Sequence, residues 1–275
     1  MNVYNKELKH KRKRPLKSKK FCIIKQDRIQ LLKKLRMVSY EYNEAETRSK
    51  LIDPILHKIG WTENLIRREI TAGTIEIING KTKRKNGRTD YLLCLPVKEG
   101  NPLPVAVLEA KRENEHCTVG IEQAKEYAQR MNVPYVFSTN GHLFVEYDHF
   151  NEKISEEISF DNFPKPDQIK RLYQKKKGLD LESDRSKALF VPYRGGQSER
   201  RYYQDAAIRA TLEKIASNRK DWNRVLLSLA TGAGKTRIAV QLLHKIEQSG
   251  QLKRALFVCD RNELRRQGYG SLFST

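Results

Sequence analysis

Two apolar runs joined by a proline-bearing loop dominate the middle of the sequence. TDYLLCLPVKEGNPLPVAVLEAKREN, residues 89–114, predicts strands over about 89–95 and 104–110. Asp90 opens the first strand, and Glu109 and Lys111 close the second. Antiparallel pairing brings the start of one strand beside the end of the next, and the two-residue period of a strand puts Lys111 on the same face as Glu109. The hairpin therefore predicts a sheet with two carboxylates and an ammonium group at one edge.

These charges have two interpretations. One is a surface ion pair at the strand ends, since an Asp followed by ExK arises readily by chance in a chain with 32% charged residues. The other is a metal site, because two converging carboxylates repel unless a cation joins them and Mg²⁺ prefers oxygen ligands. Beside an ammonium group, such a site hydrolyses phosphodiesters. A charge ending a strongly apolar strand is costly without a partner, so the position of Glu109 favours the metal site.

The segments around the hairpin predict helices and further strands. NEAETRSKLIDPILHKIGW begins with Asn43 as an N-cap and ends at Gly60, which predicts an amphipathic helix with a break at Pro54. A second helix is predicted over about 118–131, with apolar residues at Val119, Ala124, Tyr127, Ala128 and Met131. Strands are predicted at 74–78, 135–140 and 143–148. Together these elements predict an α/β sandwich seeded by the first helix.

A glycine-rich loop, ATGAGKT at 230–236, lies between a predicted strand and a predicted helix. In that context Gly232, Ala233 and Gly234 let backbone N–H groups surround phosphates, Lys235 reaches the β- and γ-oxygens, and Thr236 offers its hydroxyl to Mg²⁺. The loop therefore predicts an ATP site. Strands in RVLLSLA and RALFVCD, alternating with helices, predict a P-loop domain built on a parallel sheet.

This loop resembles motif I of superfamily 2 helicases and translocases, in which the first glycine is commonly missing, and Leu229 occupies that position here. The resemblance implies that Gln204, in RYYQDAAI, is the glutamine that reads adenine. It also implies that Asp260 and Arg261, in ALFVCDRNELRRQ, belong to motif Ia, which tracks DNA. The chain ends at Thr275 before any Walker B acidic pair, so we expect an incomplete RecA-like domain from a longer motor.

The hairpin and the helix after it resemble the PD-(D/E)xK nuclease superfamily, in the branch with a trailing QxxxY motif. The resemblance implies that Asp90 and Glu109 are metal ligands, that Lys111 is the catalytic lysine, and that Gln123 and Tyr127 position DNA or active-site groups.

The first predicted helix supplies one more acidic residue to this resemblance. Glu44, with Arg48 one turn later, is the expected auxiliary acid, and Glu46 remains an alternative. Thr89 precedes Asp90 where the superfamily name has proline.

A nuclease domain followed by a superfamily 2 motor resembles the restriction subunit of a type I restriction-modification enzyme, through EAETRSKLIDPILHKIGW, GRTDYLLCL and VAVLEAKRE. Type III subunits carry the nuclease after the motor. The resemblance covers roughly residues 39–275 and implies an Mg²⁺-dependent DNA endonuclease coupled to ATP-driven translocation. It also implies double-stranded DNA, methylation subunits and specificity subunits as partners. Two alternatives remain: another defence or repair helicase–nuclease, and an inactive truncated remnant that only binds DNA.

The expected division follows these motifs. Residues 1–38 form a basic, disordered tail and lead-in helix, 39–150 a restriction-endonuclease-like α/β domain, 151–197 a linker with a short helix, and 198–275 the beginning of the RecA-like domain. The formal net charge is +21, and an excess of 13 basic residues remains without the first 20 residues. A polyanionic partner, most simply nucleic acid, explains this excess, and a solvated basic surface is the alternative.

The remaining features set the expected compartment. Four cysteines lack CxxC spacing, and His116 beside Cys117 lacks further ligands at metal-binding spacing, so the sequence predicts neither a zinc site nor a disulfide framework. No apolar run approaches 18 residues, and the basic N-terminus lacks the apolar region of a signal peptide. We therefore expect a cytoplasmic protein with no membrane partner.

Overall fold

The computed structural model describes residues 41–71, 73–78, 81–85, 87–97, 100–148, 152–194, 201–217, 224–258 and 262. The predicted basic tail and the motif Ia residues Asp260 and Arg261 lie outside these segments. None of the helices in these segments combines the length and the apolar character needed to cross a membrane.

The predicted first helix is confirmed, and its break lies at Pro54. It consists of α1 (Glu44–Thr47), a π-helical turn (Arg48–Ile52) and α2 (Asp53–Lys58). The Asn43 side chain accepts the backbone N–H of Glu46 at 3.0 Å, and the Glu46 carboxylate accepts that of Asn43 at 3.3 Å, which completes a capping box. Pro54 has no N–H to continue the α-helical ladder, so the wider turn lies immediately before it.

A mixed sheet of seven strands forms the centre of the fold. The strands are β1 (Ile66–Thr71), β4 (Arg88–Leu95), β5 (Leu103–Ala110), β6 (Tyr135–Thr139), β7 (Leu143–Asp148), β8 (Lys153–Ile154) and β9 (Ile158–Ser159). Their order is β1-β4-β5-β6-β7-β8, and β9 also pairs with β7. Only β5 and β6 run parallel among these pairs. Strands β2 (Thr74–Ile78) and β3 (Lys81–Lys85) form a separate hairpin.

The sheet is buried on both faces, as an α/β sandwich requires. On one face, Leu92, Val107 and Val136 pack with helix α3 (Ile121–Met131). On the other, Tyr91, Leu93 and Phe137 belong to a larger core that includes Ile52 and Leu56 from the first helical segment. Successive strand residues point to opposite faces, so β4 and β5 read as continuous apolar runs because both faces are covered.

The helix predicted over 118–131 is confirmed from Ile121 onward, and its first turn differs. Residues Cys117–Gly120 form a 3₁₀ turn. Val119 was wrongly expected on the buried face, and it is 59% exposed. A 3₁₀ turn has three residues per turn, which rotates Val119 away from the α-helical apolar stripe.

The segment expected to link the two domains carries the predicted helix and packs against the same core. Helix α4 (Pro166–Lys177) buries Ile169 and Tyr173, and a short helix α5 (Lys187–Phe190) follows. Ahead of α4, Phe163 packs against Phe137 and Phe144 with ring centroids 4.9 and 5.2 Å apart. The proposed domain boundaries themselves stay a prediction.

In the C-terminal part the predicted helices form and the predicted strands do not. Helices α6 (Tyr202–Ala216) and α7 (Lys235–Gln248) flank the glycine-rich loop. Residues 224–230 and 254–258, expected as parallel strands, have no strand pairing, and Leu226 and Leu256 are 93% and 89% exposed. A parallel strand is stable when hydrogen-bonding neighbours lie beside it and helices cover its faces, and the described residues supply no such neighbour here.

Candidate active site

Pairing of β4 with β5 brings Asp90 beside the end of β5, as the sequence predicts. Tyr91 lies opposite Leu108, which places Asp90 across from Glu109 in the antiparallel ladder. One carboxylate oxygen of Asp90, Oδ2, accepts the backbone N–H of Ala110 at 2.8 Å, and the other, Oδ1, lies 3.3 Å from a guanidinium nitrogen of Arg48. Asp90 is 9% exposed, so these bonds fix its orientation at the edge of the sheet.

Glu109 is the most strained charge in this group. It is 2% exposed, its Oε1 accepts a hydrogen bond from Lys111 Nζ at 3.2 Å, and its buried Oε2 has no partner among the described residues. Burial, followed by the negative charge of Asp90, raises the pKa of Glu109 to about 8. A buried carboxylate oxygen without a donor is costly, so the arrangement favours a bound cation or a proton.

Lys111 connects the carboxylates to helix α3. Its ammonium group also lies 3.5 Å from Gln123 Oε1, and Gln123 Nε2 donates to the Tyr127 hydroxyl at 3.2 Å. Gln123 and Tyr127 are four residues apart on one face of the helix, as predicted. The structure thus places Glu109, Lys111, Gln123 and Tyr127 in one continuous polar chain.

Two residues that sequence reasoning missed form the wall behind this chain. Ser138 on β6 lies opposite Glu109 in the parallel ladder, and its buried hydroxyl also has no partner within the described segments. Gly120 closes the same wall, since a Cβ built on it would lie 2.8 Å from Lys111 Cε and 2.9 Å from Glu109 Cγ. A serine inside the apolar run YVFST was the available signal for Ser138. The sequence held no comparable signal for Gly120.

The structure separates the two acidic residues of the first helix. Glu46 caps its own helix and pairs with Lys50 at 3.0 Å. Glu44 is half-buried, and its negative charge contributes to the raised pKa of Glu109. Of the two, Glu44 is therefore the one whose charge acts on the carboxylate cluster.

These residues fit a divalent cation with hard oxygen ligands. The Asp90 and Glu109 carboxylates converge, and the Glu109 oxygen without a partner is the kind of atom that Mg²⁺ binds. A cation there would offset both the burial of Glu109 and its repulsion with Asp90, which are the two main causes of its raised pKa. Asp90 and Glu109 are thus the candidate metal ligands.

The glycine-rich loop and Gln204 meet, although they lie far apart in sequence. Gly232 and Gly234 have φ angles of 78° and 84°, and helix α7 begins at Lys235 directly after them. Gln204 Nε2 and the Tyr203 hydroxyl both donate to the Ala233 carbonyl, at 2.9 and 3.2 Å. Gly234 lies so close to Gln204 that a Cβ would be 2.6 Å from its amide nitrogen.

This loop fits nucleotide phosphates. The two left-handed glycines turn the chain into the start of α7, where unpaired N–H groups and the helix dipole favour an anion. Around Gly232 there is open space, so the backbone is accessible. The Lys235 ammonium donates to the Leu229 carbonyl at 3.1 Å, and Thr236 lies half-buried beside it.

Comparison with known proteins places this chain among restriction enzymes. The family described as "Type III restriction enzyme, res subunit" matches residues 197–274, so a helicase-like segment follows the sheet. Over the aligned region the chain is homologous to endonuclease subunits of type I restriction enzymes.

Three of these similarities are specific. The EcoAI endonuclease subunit of Escherichia coli is 33% identical over 227 residues, which is 80% of this chain and 27% of that protein. The EcoKI endonuclease subunit of Escherichia coli strain K12 is 25% identical over 293 residues, 85% of this chain and 24% of that protein. A fragment structure from Vibrio vulnificus YJ016, described as an HsdR subunit of a type I restriction enzyme, has a TM-score of 0.62 at 31% identity. It covers 77% of this chain and 39% of that one. The chain spans about a quarter of the length of the curated relatives it matches.

Proposed function

We propose that this chain is the nuclease part, with the beginning of the motor, of a type I restriction endonuclease subunit. The observation that carries the proposal is the buried Glu109 carboxylate, one oxygen of which has no partner, beside Asp90 and Lys111. The PD-(D/E)xK assignment rests on this geometry and on the order of the motifs. The substrate is double-stranded DNA, and the partners are the methylation and specificity subunits of the same system. Because that system acts on DNA at the expense of ATP, we place the protein in the cytoplasm.

Asp90 and Glu109 hold Mg²⁺ in this proposal. The ion, when bound, polarises the scissile phosphate and acidifies a water molecule. Lys111 provides a positive charge within 3.2 Å of Glu109, where negative charge develops on the phosphate as the bond breaks. Gln123 accepts from the Lys111 ammonium and so restricts its position, and Tyr127 restricts Gln123 in turn. Glu44 adds negative charge on the side of α1.

The loop at 230–236 binds ATP in this proposal. Gly232, Ala233 and Gly234 present backbone N–H groups to the phosphates, and Lys235 exchanges the Leu229 carbonyl for phosphate oxygens. Thr236 is the residue that would hold the nucleotide's Mg²⁺. Gln204 already contacts the loop, which supports its assignment as the residue that couples adenine recognition to phosphate binding.

The nuclease assignment is tested by plasmid nicking in Mg²⁺. We expect Asp90→Ala and Lys111→Ala to abolish nicking while the circular dichroism spectrum is unchanged. Lys170→Ala serves as the matched control, because that lysine makes an exposed ion pair with Glu182 in α4. Undiminished cleavage by both site variants would refute the assignment, and loss of cleavage in Lys170→Ala would show that the effect is not specific.

The motor assignment is tested in the longer protein that carries the complete ATPase. Lys235→Ala should stop ATP hydrolysis and cleavage distant from the recognition site, since the phosphate oxygens lose their lysine. Persistent ATP-driven translocation in this variant would contradict the role of the loop.

A further inference from the structure

Three potential metal ligands of different chemistry lie together at the turn that leads into α3. His116 Nε2 is 2.6 Å from Glu157 Oε1, and Cys117 Sγ is 3.7 Å from the same oxygen. The three ligand atoms all lie within 4.8 Å of one another. His116 and Glu157 are exposed at the surface, and Cys117 is buried below them. Solvent therefore reaches one side of the cluster.

The third ligand comes from a segment that sequence spacing does not connect to the other two. Glu157 immediately precedes β9, and β9 pairs with β7 so that Ser159 lies opposite Leu143. This pairing brings Glu157 to the Cys117–Gly120 turn, 40 residues away along the chain. The dipeptide alone gave no reason to expect a metal site, and the edge of the sheet supplies the missing ligand.

We propose that His116, Cys117 and Glu157 bind Zn²⁺ through one nitrogen, one sulfur and one oxygen atom. Zn²⁺ accepts this set at about 2.0–2.3 Å, with a water molecule in the remaining tetrahedral position. In a tetrahedron of that size, ligand atoms are roughly 3.3–3.8 Å apart. The present separations of 2.6 and 3.7 Å bracket this range closely enough for side-chain rotation to complete the site. Mg²⁺ is disfavoured, because it takes oxygen ligands rather than a thiolate.

Binding exchanges a proton for the metal. Burial, followed by the negative charge of Glu157, raises the pKa of the Cys117 thiol to about 11. The metal-free cysteine therefore holds its proton at neutral pH. When Zn²⁺ binds, the S–H bond breaks, the proton goes to solvent and the sulfur becomes a thiolate ligand.

The position of the cluster gives the ion a structural consequence. It would join the Cys117–Gly120 turn to the edge strand β9, and Gly120 at the end of that turn packs against Lys111 and Glu109. The ion thus stabilises the folded chain by mass action. The proposal does not depend on the nuclease assignment, since metal binding and stability are measured without DNA.

A second histidine–carboxylate pair provides a matched control. His142 Nε2 lies 3.0 Å from Glu113 Oε1, and both side chains are partly exposed, as in the cluster. Cys94 and Cys117 are the cysteines that the structure describes, and neither belongs to the His142 pair. An ordinary surface ion pair would make His116 and His142 equivalent towards a metal.

The test is a Co²⁺ titration of the metal-stripped chain, with Zn²⁺ as competitor. We expect one equivalent of Co²⁺ to give a thiolate-to-metal charge-transfer band that Zn²⁺ removes and excess Mg²⁺ does not. Cys117→Ser should abolish the band, and His116→Ala and Glu157→Gln should weaken binding by more than the roughly 10- to 100-fold that loss of an outer-shell partner costs. His142→Ala should bind as the wild type does.

Thermal unfolding gives a second measurement on the same variants. Zn²⁺ should raise the unfolding temperature of the wild type and His142→Ala, and leave that of His116→Ala unchanged. If Cys117→Ser does not fold, His116→Ala and Glu157→Gln decide, because their side chains are exposed. Absence of the charge-transfer band in the wild type, or equal Co²⁺ affinity of His116→Ala and His142→Ala, would overturn the proposal.

Discussion

Replacing Gly120 with alanine tests whether the candidate active site depends on the close approach of the turn before α3. A Cβ at this position would lie 2.5 Å from Ser138 Oγ, 2.8 Å from Lys111 Cε and 2.9 Å from Glu109 Cγ. Non-bonded carbon atoms prefer separations of about 3.5–4.0 Å, so the neighbours or the turn must move by roughly 1 Å. Both chemical groups that would act on the phosphate are among those neighbours.

The size of the effect follows from this displacement. An extra methyl group in a well-packed wall costs about 1–3 kcal/mol of folding free energy. Misplacing catalytic groups by 1 Å costs about 100-fold in rate. We therefore expect Gly120→Ala to nick plasmid DNA about 100-fold more slowly than the wild type, while it still folds cooperatively in urea.

Gly178→Ala is the matched control for destabilisation alone. Gly178 ends α4 with φ of 63°, and a Cβ there meets nothing within 4 Å. The left-handed conformation costs an alanine about 1–2 kcal/mol, close to the expected cost at Gly120. This variant should nick DNA at the wild-type rate. Wild-type nicking by Gly120→Ala, or an equal loss in both variants, would refute the packing argument.

Two further perturbations follow from the same structure. The raised pKa of Glu109 stabilises the metal-free fold fully below the ordinary glutamate pKa of about 4.3, and this contribution is lost as pH rises to about 8. Urea unfolding in EDTA should therefore show stability falling by at most about 1.4 kcal/mol per pH unit in that window, less steeply in Glu109→Gln; an identical slope would contradict this. Asn43→Ala removes the capping box and should cost about 1 kcal/mol in the same assay, and unchanged stability would show that the cap contributes nothing.

The hairpin that carries the site could be predicted because its rules are local. Strand period and antiparallel pairing of consecutive strands suffice to bring Asp90, Glu109 and Lys111 together, and α-helical spacing suffices to align Gln123 with Tyr127. The structure confirms this proximity, and the catalytic roles stay a prediction.

The wall behind the site depends on long-range register, which no local rule supplies. Ser138 lies opposite Glu109 because β6 pairs in parallel with β5 after α3 has crossed between them. Gly120 reaches Lys111 only once that crossover is packed. For the same reason Glu157 meets His116 through the pairing of β9 with β7.

Strand predictions failed in two opposite ways. In β1, Arg67, Arg68 and Glu69 interrupt the apolar alternation, so the sequence did not indicate a strand, yet β4 supplies a hydrogen-bonding partner along its length. The run at 224–230 has a strong apolar pattern and no such partner in the described part of the chain, and it is not a strand. Pairing neighbours, rather than the pattern alone, decide whether a strand forms.

Mg²⁺ binding and DNA nicking, measured on the same preparations of the wild type, Asp90→Asn and Lys111→Ala, test the central claim most directly. The carboxylates hold the ion and the lysine acts on the phosphate. Asp90→Asn should therefore lose both Mg²⁺ binding and nicking, and Lys111→Ala should bind Mg²⁺ and fail to nick. Nicking by Lys111→Ala at the wild-type rate, or unchanged Mg²⁺ affinity in Asp90→Asn, would contradict the account.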